Sequence, residues 1–354
     1  MSGYCQEPFI HADISSNGDV RLCCTSWHPK VVGNINTTSL HEIWTGNESI
    51  KVRNSINDLS YTYCKLDICP SWQSNRGFYK HPQTITTILP KRLKFSFDNS
   101  CNLECPSCRT SKIQHVKGSK EYNYSMSILN KIKESYYSIG YDQETEFIIT
   151  GSGDPFGSDV FRNFLYDLDG TKLPLLKLVF LTNGIMLTEK IINKIHKIHK
   201  NIFRMNISID AATEKTYNIV RKGGNFKQLK ENIKQIHSNP NLEHVIICYS
   251  FVVQNTNFLE LPDFAKWILS YPKAQIRFTK LLPWNDMGIK YEDENVLNIN
   301  HFNYNNLKSI LKNPIFTAQD TSRRIDWTNI NAVSYTHLRA HETRHDLVCR
   351  LLLE

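Results

Sequence analysis

No apolar run in this 354-residue sequence approaches the roughly 18–20 residues that a membrane-spanning helix needs. The N-terminus, Met1-Ser-Gly-Tyr-Cys5-Gln-Glu7, lacks the basic-then-apolar layout of a secretory signal. Both absences predict a cytoplasmic chain with no membrane partner. Thiols stay reduced in that compartment, so clustered cysteines there point to metal or catalysis before disulfides. Also lacking is a compact group of Arg and Lys interleaved with aromatic rings, the footprint of a nucleic-acid surface. The net charge of +8 comes largely from scattered lysines such as Lys190, Lys194, Lys197 and Lys200, and reads as a solvated helix face. No internal repeat is present.

The hydrophobic content of 40% is enough for a sizeable core, and the length suits one large domain or two ordinary ones. Residues 1–89 are turn-rich and carry cysteines. A hairpin is predicted over 14–23, with Ser15-Ser-Asn-Gly18 as its turn and Asp19-Val-Arg-Leu22 returning. One helix is predicted over 39–57, with Ile43, Trp44, Ile50 and Ile56 facing the core. Residues 82–90 read as a linker.

From residue 91 short apolar strands alternate with amphipathic helices. Strands are predicted over 93–97, 146–150, 177–182, 204–209, 244–253 and 275–281. Helices are predicted over 126–139, 159–167, 189–199, 226–237 and 259–269. This alternation argues a parallel sheet in an α/β fold, open or wrapped. Six strands are too few for an eight-unit barrel, which leaves a partial (β/α)6 TIM-like barrel. The expected domains are an α+β cysteine-rich domain over 1–89, the barrel over 90–283 and an extension over 284–332. The last stretch, 333–354, is Arg- and His-rich and resembles translated sequencing-adapter sequence, so a non-native tail is expected there. On a helix, its His337, His341, His345 and Cys349 would share one face, a pattern that also suits zinc.

The run Cys101-Asn-Leu-Glu-Cys105-Pro-Ser-Cys108 spaces three of the ten cysteines as C-x3-C-x2-C. Three thiolates so placed can hold three corners of a four-iron cluster and leave one iron open to a small molecule. The run follows the predicted strand 93–97, at the strand end where α/β barrels place their active sites. A structural zinc is the competing reading. It needs a fourth ligand, for which His115 is the nearby candidate.

Further signals follow in order. Thr150-Gly-Ser-Gly-Asp-Pro155 comes after the second strand of the series, and Asn206-Ile-Ser-Ile-Asp210 lies on the fourth. Tyr217, Arg221 and Gly223-Gly-Asn-Phe226 come next. With these motifs, residues 91–282 resemble the radical S-adenosylmethionine (radical SAM) superfamily. The resemblance implies a SAM-binding 4Fe–4S cluster on Cys101, Cys105 and Cys108. It also implies reductive cleavage of SAM to a 5′-deoxyadenosyl radical that takes a hydrogen atom from a substrate. By the same resemblance Gly151, Ser152, Gly153 and Asp154 contact the methionyl amine. Ser208 and Asp210 contact the ribose or methionyl group, and Arg221 pairs with the carboxylate. Each has a plainer reading: a tight turn at Gly151 and Gly153, a helix cap at Asp210, a surface residue at Arg221. Asn183, in Thr182-Asn-Gly184, is a turn residue or a ligand contact. The chain departs from the family pattern at Ser107, where an aromatic residue is frequent. It departs again at Ser152 and Asp154, which stand for glycine and glutamate.

Cys5, Cys23, Cys64 and Cys69, with Gly18, Gly33-Asn34, Leu40-His-Glu-Ile-Trp44 and Arg53 between them, resemble the SPASM and twitch auxiliary-cluster domains. That resemblance implies a second, auxiliary iron–sulfur cluster closed by these four cysteines, with Cys24 as the alternative to Cys23. Structural zinc on the same thiols is the other reading. His11, His28 and His41 read as surface or packing residues. Such domains commonly follow the barrel; here the segment precedes it. The partners implied are an external electron donor of flavodoxin or ferredoxin type and a peptide, protein or sugar-like small-molecule substrate. Cys248, on a predicted strand, reads as core. A non-enzymatic iron–sulfur or zinc-binding electron carrier or binding protein is the alternative function.

Overall fold

A computed structural model of the chain describes residues 3–330, apart from 75–76, 139–142, 284–286, 319–320, 322 and 329. The expected tail, with His337, His341, His345 and Cys349, lies outside the described residues. The chain forms two compact units. The first takes in residues up to 104, then 111–208 and 227–246; the second takes in 105–110, 209–226 and the described residues from 247 onward.

In the first unit the strands are β1 (Tyr4–Cys5), β2 (His11–Ser15), β3 (Asp19–Arg21), β4 (Gly33–Asn34), β5 (Phe78–Tyr79), β6 (Arg92–Ser96), β7 (Thr145–Ile149), β8 (Leu176–Thr182) and β9 (Ile202–Ser208). β1 and β5 pair antiparallel. The others run in the order β4-β3-β2-β6-β7-β8-β9. From β6 to β9 every pairing is parallel and in chain order. The helices Lys120–Ser138, Asp159–Asp167 and Glu189–Lys194 supply the connections. Period-2 alternation explains β6: Leu93 and Phe95 are buried, while Arg92, Lys94 and Ser96 fall on the other face. Phe95 meets Phe147, Phe161 and Phe164 with ring centroids 5.0, 6.2 and 6.0 Å away. Burying each such ring contributes about 1.5–3 kcal/mol.

The hairpin forms as its turn chemistry requires, with Ile14 opposite Val20 and Gly18 at φ +82°. Its first strand, β2, then joins β6 in parallel register, from His11 beside Arg92 to Ser15 beside Ser96. The N-terminal segment and the first strands of the α/β series therefore share one sheet.

The expected single helix over 39–57 is two helices, Leu40–Thr45 and Asn47–Asn57. Gly46 interrupts them with an extended backbone, and a Cβ there would meet the Glu42 carbonyl oxygen at 2.5 Å. The break changes the phase of the second helix. Ile43, Trp44 and Ile56 are buried as expected, while Ile50 is 44% exposed.

In the second unit β10 (Ile246–Val253), β11 (Gln275–Lys280) and β12 (Ile325–Thr328) pair in parallel. Phe264 of the helix Leu261–Leu269 packs edge to face with Phe251 and Phe278, which also meet edge to face, and Trp327 stacks on Phe278 at 4.6 Å. Cys248 is buried on β10. Parallel strands alternating with helices make this the α/β fold expected of a (β/α)6 series. The short helix Glu214–Val220 and strand β12 were not legible from periodicity. Among the described residues no helix is long and apolar enough to cross a membrane.

Candidate cluster and cofactor site

Each sulfur of the three-cysteine run has a nitrogen donor. In the first unit, Cys101 is buried just beyond β6, and its N–H donates to the Ile113 carbonyl at 2.8 Å. The Leu103 N–H and Asn183 Nδ2 donate to its Sγ at 3.4 and 3.7 Å. In the second unit, Cys105 and Cys108 sit on a tight turn closed by the Cys108 N–H on the Cys105 carbonyl, 2.9 Å. Arg221 Nη1 lies 3.7 Å from the Cys105 Sγ, and Arg109 Nη2 lies 3.8 Å from the Cys108 Sγ. Burial pushes the Cys105 thiol up, and the Arg221 guanidinium draws it part of the way back.

The loop after β7 is built to press on the chain that leads into Cys101. A Cβ on Gly151 would meet the Ser96 hydroxyl and the Lys94 side chain within 3 Å. A Cβ on Gly153 would fall 2.9 Å from the Asn99 carbonyl carbon and would overlap the Ser100 carbonyl oxygen. The glycines thus permit close approach of two backbones. Ser152 Oγ ties the same loop to the Ser96 carbonyl at 2.9 Å.

Asp154 is fully engaged inside the fold. Its Oδ1 accepts from the Phe156 and Gly157 N–H groups at 3.0 and 2.9 Å. Its Oδ2 accepts from the Thr182 hydroxyl and the Asn183 N–H at 2.8 and 2.7 Å. Burial raises its pKa, and those four donors oppose the rise. The carboxylate therefore fixes Asn183, whose Nδ2 reaches both Cys101 and the Asn102 Oδ1, the latter at 2.8 Å.

Ser208 ends β9, half-buried. In the second unit Asp210 takes a left-handed backbone, φ +62°, and is 1% exposed. Its Oδ2 pairs with Arg221 Nη2 at 2.7 Å, and its Oδ1 accepts from the Val252 N–H at 2.7 Å. Burial pushes the Asp210 carboxyl up, while Arg221 beside it favours the ionised form; the same pairing raises the pKa of Arg221 and keeps it charged. Arg221 is thus half-buried and turned to Asp210 and Cys105. The sequence reading missed Glu260. Its carboxylate accepts from the Ala212 and Thr213 N–H groups and the Thr213 and Thr216 hydroxyls, at 2.5–3.0 Å. It clamps the segment between Asp210 and Arg221, and only proximity in the fold reveals it. His115 is turned to Asp98, 3.3 Å away.

Two of the N-terminal cysteines lie in the first unit against a small apolar cluster. Cys5 and Cys64 pack against Phe9, Ile56 and Tyr61. Burial pushes the Cys5 and Cys64 thiols up to about 12 each and raises Cys23 and Cys69 as well. Cys5 interacts electrostatically with Cys64 and Cys69, and Cys23 with Cys5 and Cys24. The Glu7 N–H bonds Cys5, the Trp27 side chain bonds Cys23, and the Ser71 and Trp72 N–H groups bond Cys69. His28 is buried, and burial lowers its pKa to about 4; His11 pairs with Glu7 at 2.9 Å, and His41 bonds the Ile88 carbonyl at 2.9 Å.

Both cysteine sets fit an iron–sulfur group chemically. The thiols of Cys5, Cys23, Cys64, Cys69 and Cys105, raised by burial, need metal charge to ionise, and the N–H donors already aimed at sulfur suit thiolates. Among the described residues, no three His, Cys, Asp or Glu side chains converge on a single ion. A cluster asks for no such convergence, because each cysteine ligates a different iron.

The family models agree with an iron–sulfur reading. The Radical SAM superfamily model matches residues 95–264, and the model of the iron–sulfur cluster-binding domain SPASM matches residues 5–70. The chain is similar to GTP 3′,8-cyclase of Clostridium botulinum (strain Okra / Type B1), 24% identical over 204 residues, which are 57% of this chain and 59% of that protein. It is similarly related to GTP 3′,8-cyclase of Vibrio cholerae serotype O1, 24% identical over 212 residues and 60% of each chain. The chain thus spans about 60% of the length of these curated relatives. Among solved structures it is similar to Streptococcus suis SuiB bound to S-adenosylmethionine, with a TM-score of 0.45, 13% identity and coverage of 72% of this chain and 52% of that one. It is also similar to native anSMEcpe with bound AdoMet, with a TM-score of 0.38, 16% identity and coverage of 55% of each.

Proposed function

We propose that this chain, which belongs to the radical SAM superfamily and carries an N-terminal SPASM iron–sulfur cluster-binding domain, is a radical SAM enzyme with one open and one closed cluster. Cys101, Cys105 and Cys108 would hold the open one, and Cys5, Cys23, Cys64 and Cys69 the closed one. The chemistry the open cluster and SAM supply when bound is one-electron cleavage of SAM to a 5′-deoxyadenosyl radical and abstraction of a hydrogen atom. The observation that carries this reading is that the sulfurs of Cys101, Cys105 and Cys108, closely spaced on one loop, each meet a nitrogen donor.

The protein's own groups prepare the site. Asp154 fixes Asn183 against Cys101, the glycines at 151 and 153 bring their loop onto the approach to Cys101, and Asp210 with Glu260 orients Arg221 at Cys105. Gly151, Ser152 and Gly153, with Asn183 and Ser208, are the groups we assign to SAM. Asp154, Asp210 and Arg221, assigned to SAM by resemblance, have their hydrogen bonds directed within the fold. An external donor of flavodoxin or ferredoxin type would supply the electron, in the cytoplasm. The substrate would be a peptide, a protein or a small polar molecule; the curated relatives are named for action on GTP.

Anaerobic reconstitution followed by iron and sulfide analysis should give about eight irons per chain, four for each cluster. A folded sample that takes up zinc alone would refute the proposal. Two intact clusters without SAM cleavage would instead identify an electron carrier. Cys64→Ala should lower iron to about four per chain and leave part of the 5′-deoxyadenosine formation, since the open cluster keeps its ligands.

A further inference from the structure

Arg221 is held so firmly beside Cys105 that its direction is part of the design of the second unit. It follows the helix Glu214–Val220, and its N–H donates to the Tyr217 carbonyl at 2.7 Å. One arm of its guanidinium pairs with Asp210 at 2.7 Å, and the other reaches the Cys105 sulfur at 3.7 Å. Asp210 is itself fixed at two points: the Val252 N–H binds its carboxylate at 2.7 Å, and Asn257 Nδ2 binds its carbonyl at 2.9 Å. Glu260 clamps the intervening turn at Ala212, Thr213 and Thr216. Turning Arg221 away from Cys105 would break the Asp210 pair in a buried site, where losing one partner of such a pair is costly.

We infer that Arg221 is a positioning residue that sets the reduction potential of the cluster through the Cys105 sulfur, with Asp210 as the counterweight that limits its effect. The inference rests on the reading of Cys105 as a cluster ligand. Reduction adds one electron, and with it negative charge shared onto the sulfurs. An N–H···S bond and a nearby cation stabilise that added charge, which raises the potential. Asp210 offsets part of the cation's field, the more so because its carboxylate is buried. Arg221 and Asp210 should therefore act on the potential in opposite directions. A planar fork is needed to reach carboxylate and sulfur together, so lysine is an incomplete replacement.

The test is an EPR-monitored redox titration of the reconstituted full-length protein, with dithionite as reductant and no SAM present. The catalytic cluster is recognised as the signal that changes when SAM is added afterwards. Arg221→Met should shift its midpoint to a more negative potential, Arg221→Lys should shift it less, and Asp210→Asn should shift it to a more positive one. The auxiliary signal should stay in place. A midpoint unchanged in Arg221→Met and Arg221→Lys overturns the inference, and weakened SAM binding alongside it would assign Arg221 to the SAM carboxylate. Should Arg221→Met take up no iron, the opposite shifts of Arg221→Lys and Asp210→Asn decide; shifts of one sign refute it. A wild-type chain that binds no cluster at Cys105 would instead refute the proposed function.

Discussion

Cys105→Ala should abolish 5′-deoxyadenosine formation from SAM under dithionite and lower iron from about eight to about four per chain. Cys105 is 6% exposed, and its sulfur faces the Arg221 guanidinium. Alanine leaves two ligands for an open cluster, and it leaves Arg221 without its sulfur acceptor. Serine would restore size but not softness, so Cys105→Ser should fail as well. The contrast with Cys64→Ala is decisive, because both variants lose about four irons and only one should lose SAM cleavage. Equal loss in both would mean that the N-terminal cluster is needed for the first electron to arrive. Cleavage persisting in Cys105→Ala would remove Cys105 from the site.

The sequence made the metal chemistry legible because ligand spacing is local: Cys101, Cys105 and Cys108 lie on one short loop behind one strand. The strands from β6 to β11 were legible for a similar reason, since buried parallel strands are short apolar runs between helices. The single helix over 39–57 failed because its apolar spacing survives on both sides of Gly46, while the backbone conformation there does not show in the pattern. The polar residues were harder still. Asp154 looked like a ligand contact by motif, yet its four partners come from Phe156, Gly157, Thr182 and Asn183, two of them at the end of another strand. Arg221 read as a partner for the SAM carboxylate or as a surface residue because the sequence does not show that the backbone bend at Asp210 aims a carboxylate at it. Glu260 meets Thr213 only in the fold. Motif reading thus located these groups without showing which hydrogen bonds they spend inside the protein.

That saturation gives Asp154→Ala a larger expected effect than a lost cofactor contact would have. The substitution strands the Phe156, Gly157 and Asn183 N–H groups and the Thr182 hydroxyl in a buried site. Each costs roughly 1–3 kcal/mol when left unmet, although the hydroxyl can turn to another acceptor. The sum is several kcal/mol, a large part of the roughly 5–15 kcal/mol that holds a typical domain together. Thermal unfolding should show an apparent midpoint lower by on the order of 10 °C. The damage should also reach the metal. With its N–H released, Asn183 no longer holds Nδ2 against Cys101, and iron should leave the open cluster during gel filtration while the auxiliary four remain. Asp154→Asn should fall between, since one amide oxygen can still accept from Phe156 and Gly157 while the amide nitrogen opposes the Asn183 N–H. If Asp154 acted only on the methionyl amine of SAM, both variants would keep their melting point and iron and lose SAM affinity alone. Calorimetry and iron analysis before any SAM is added separate the two cases.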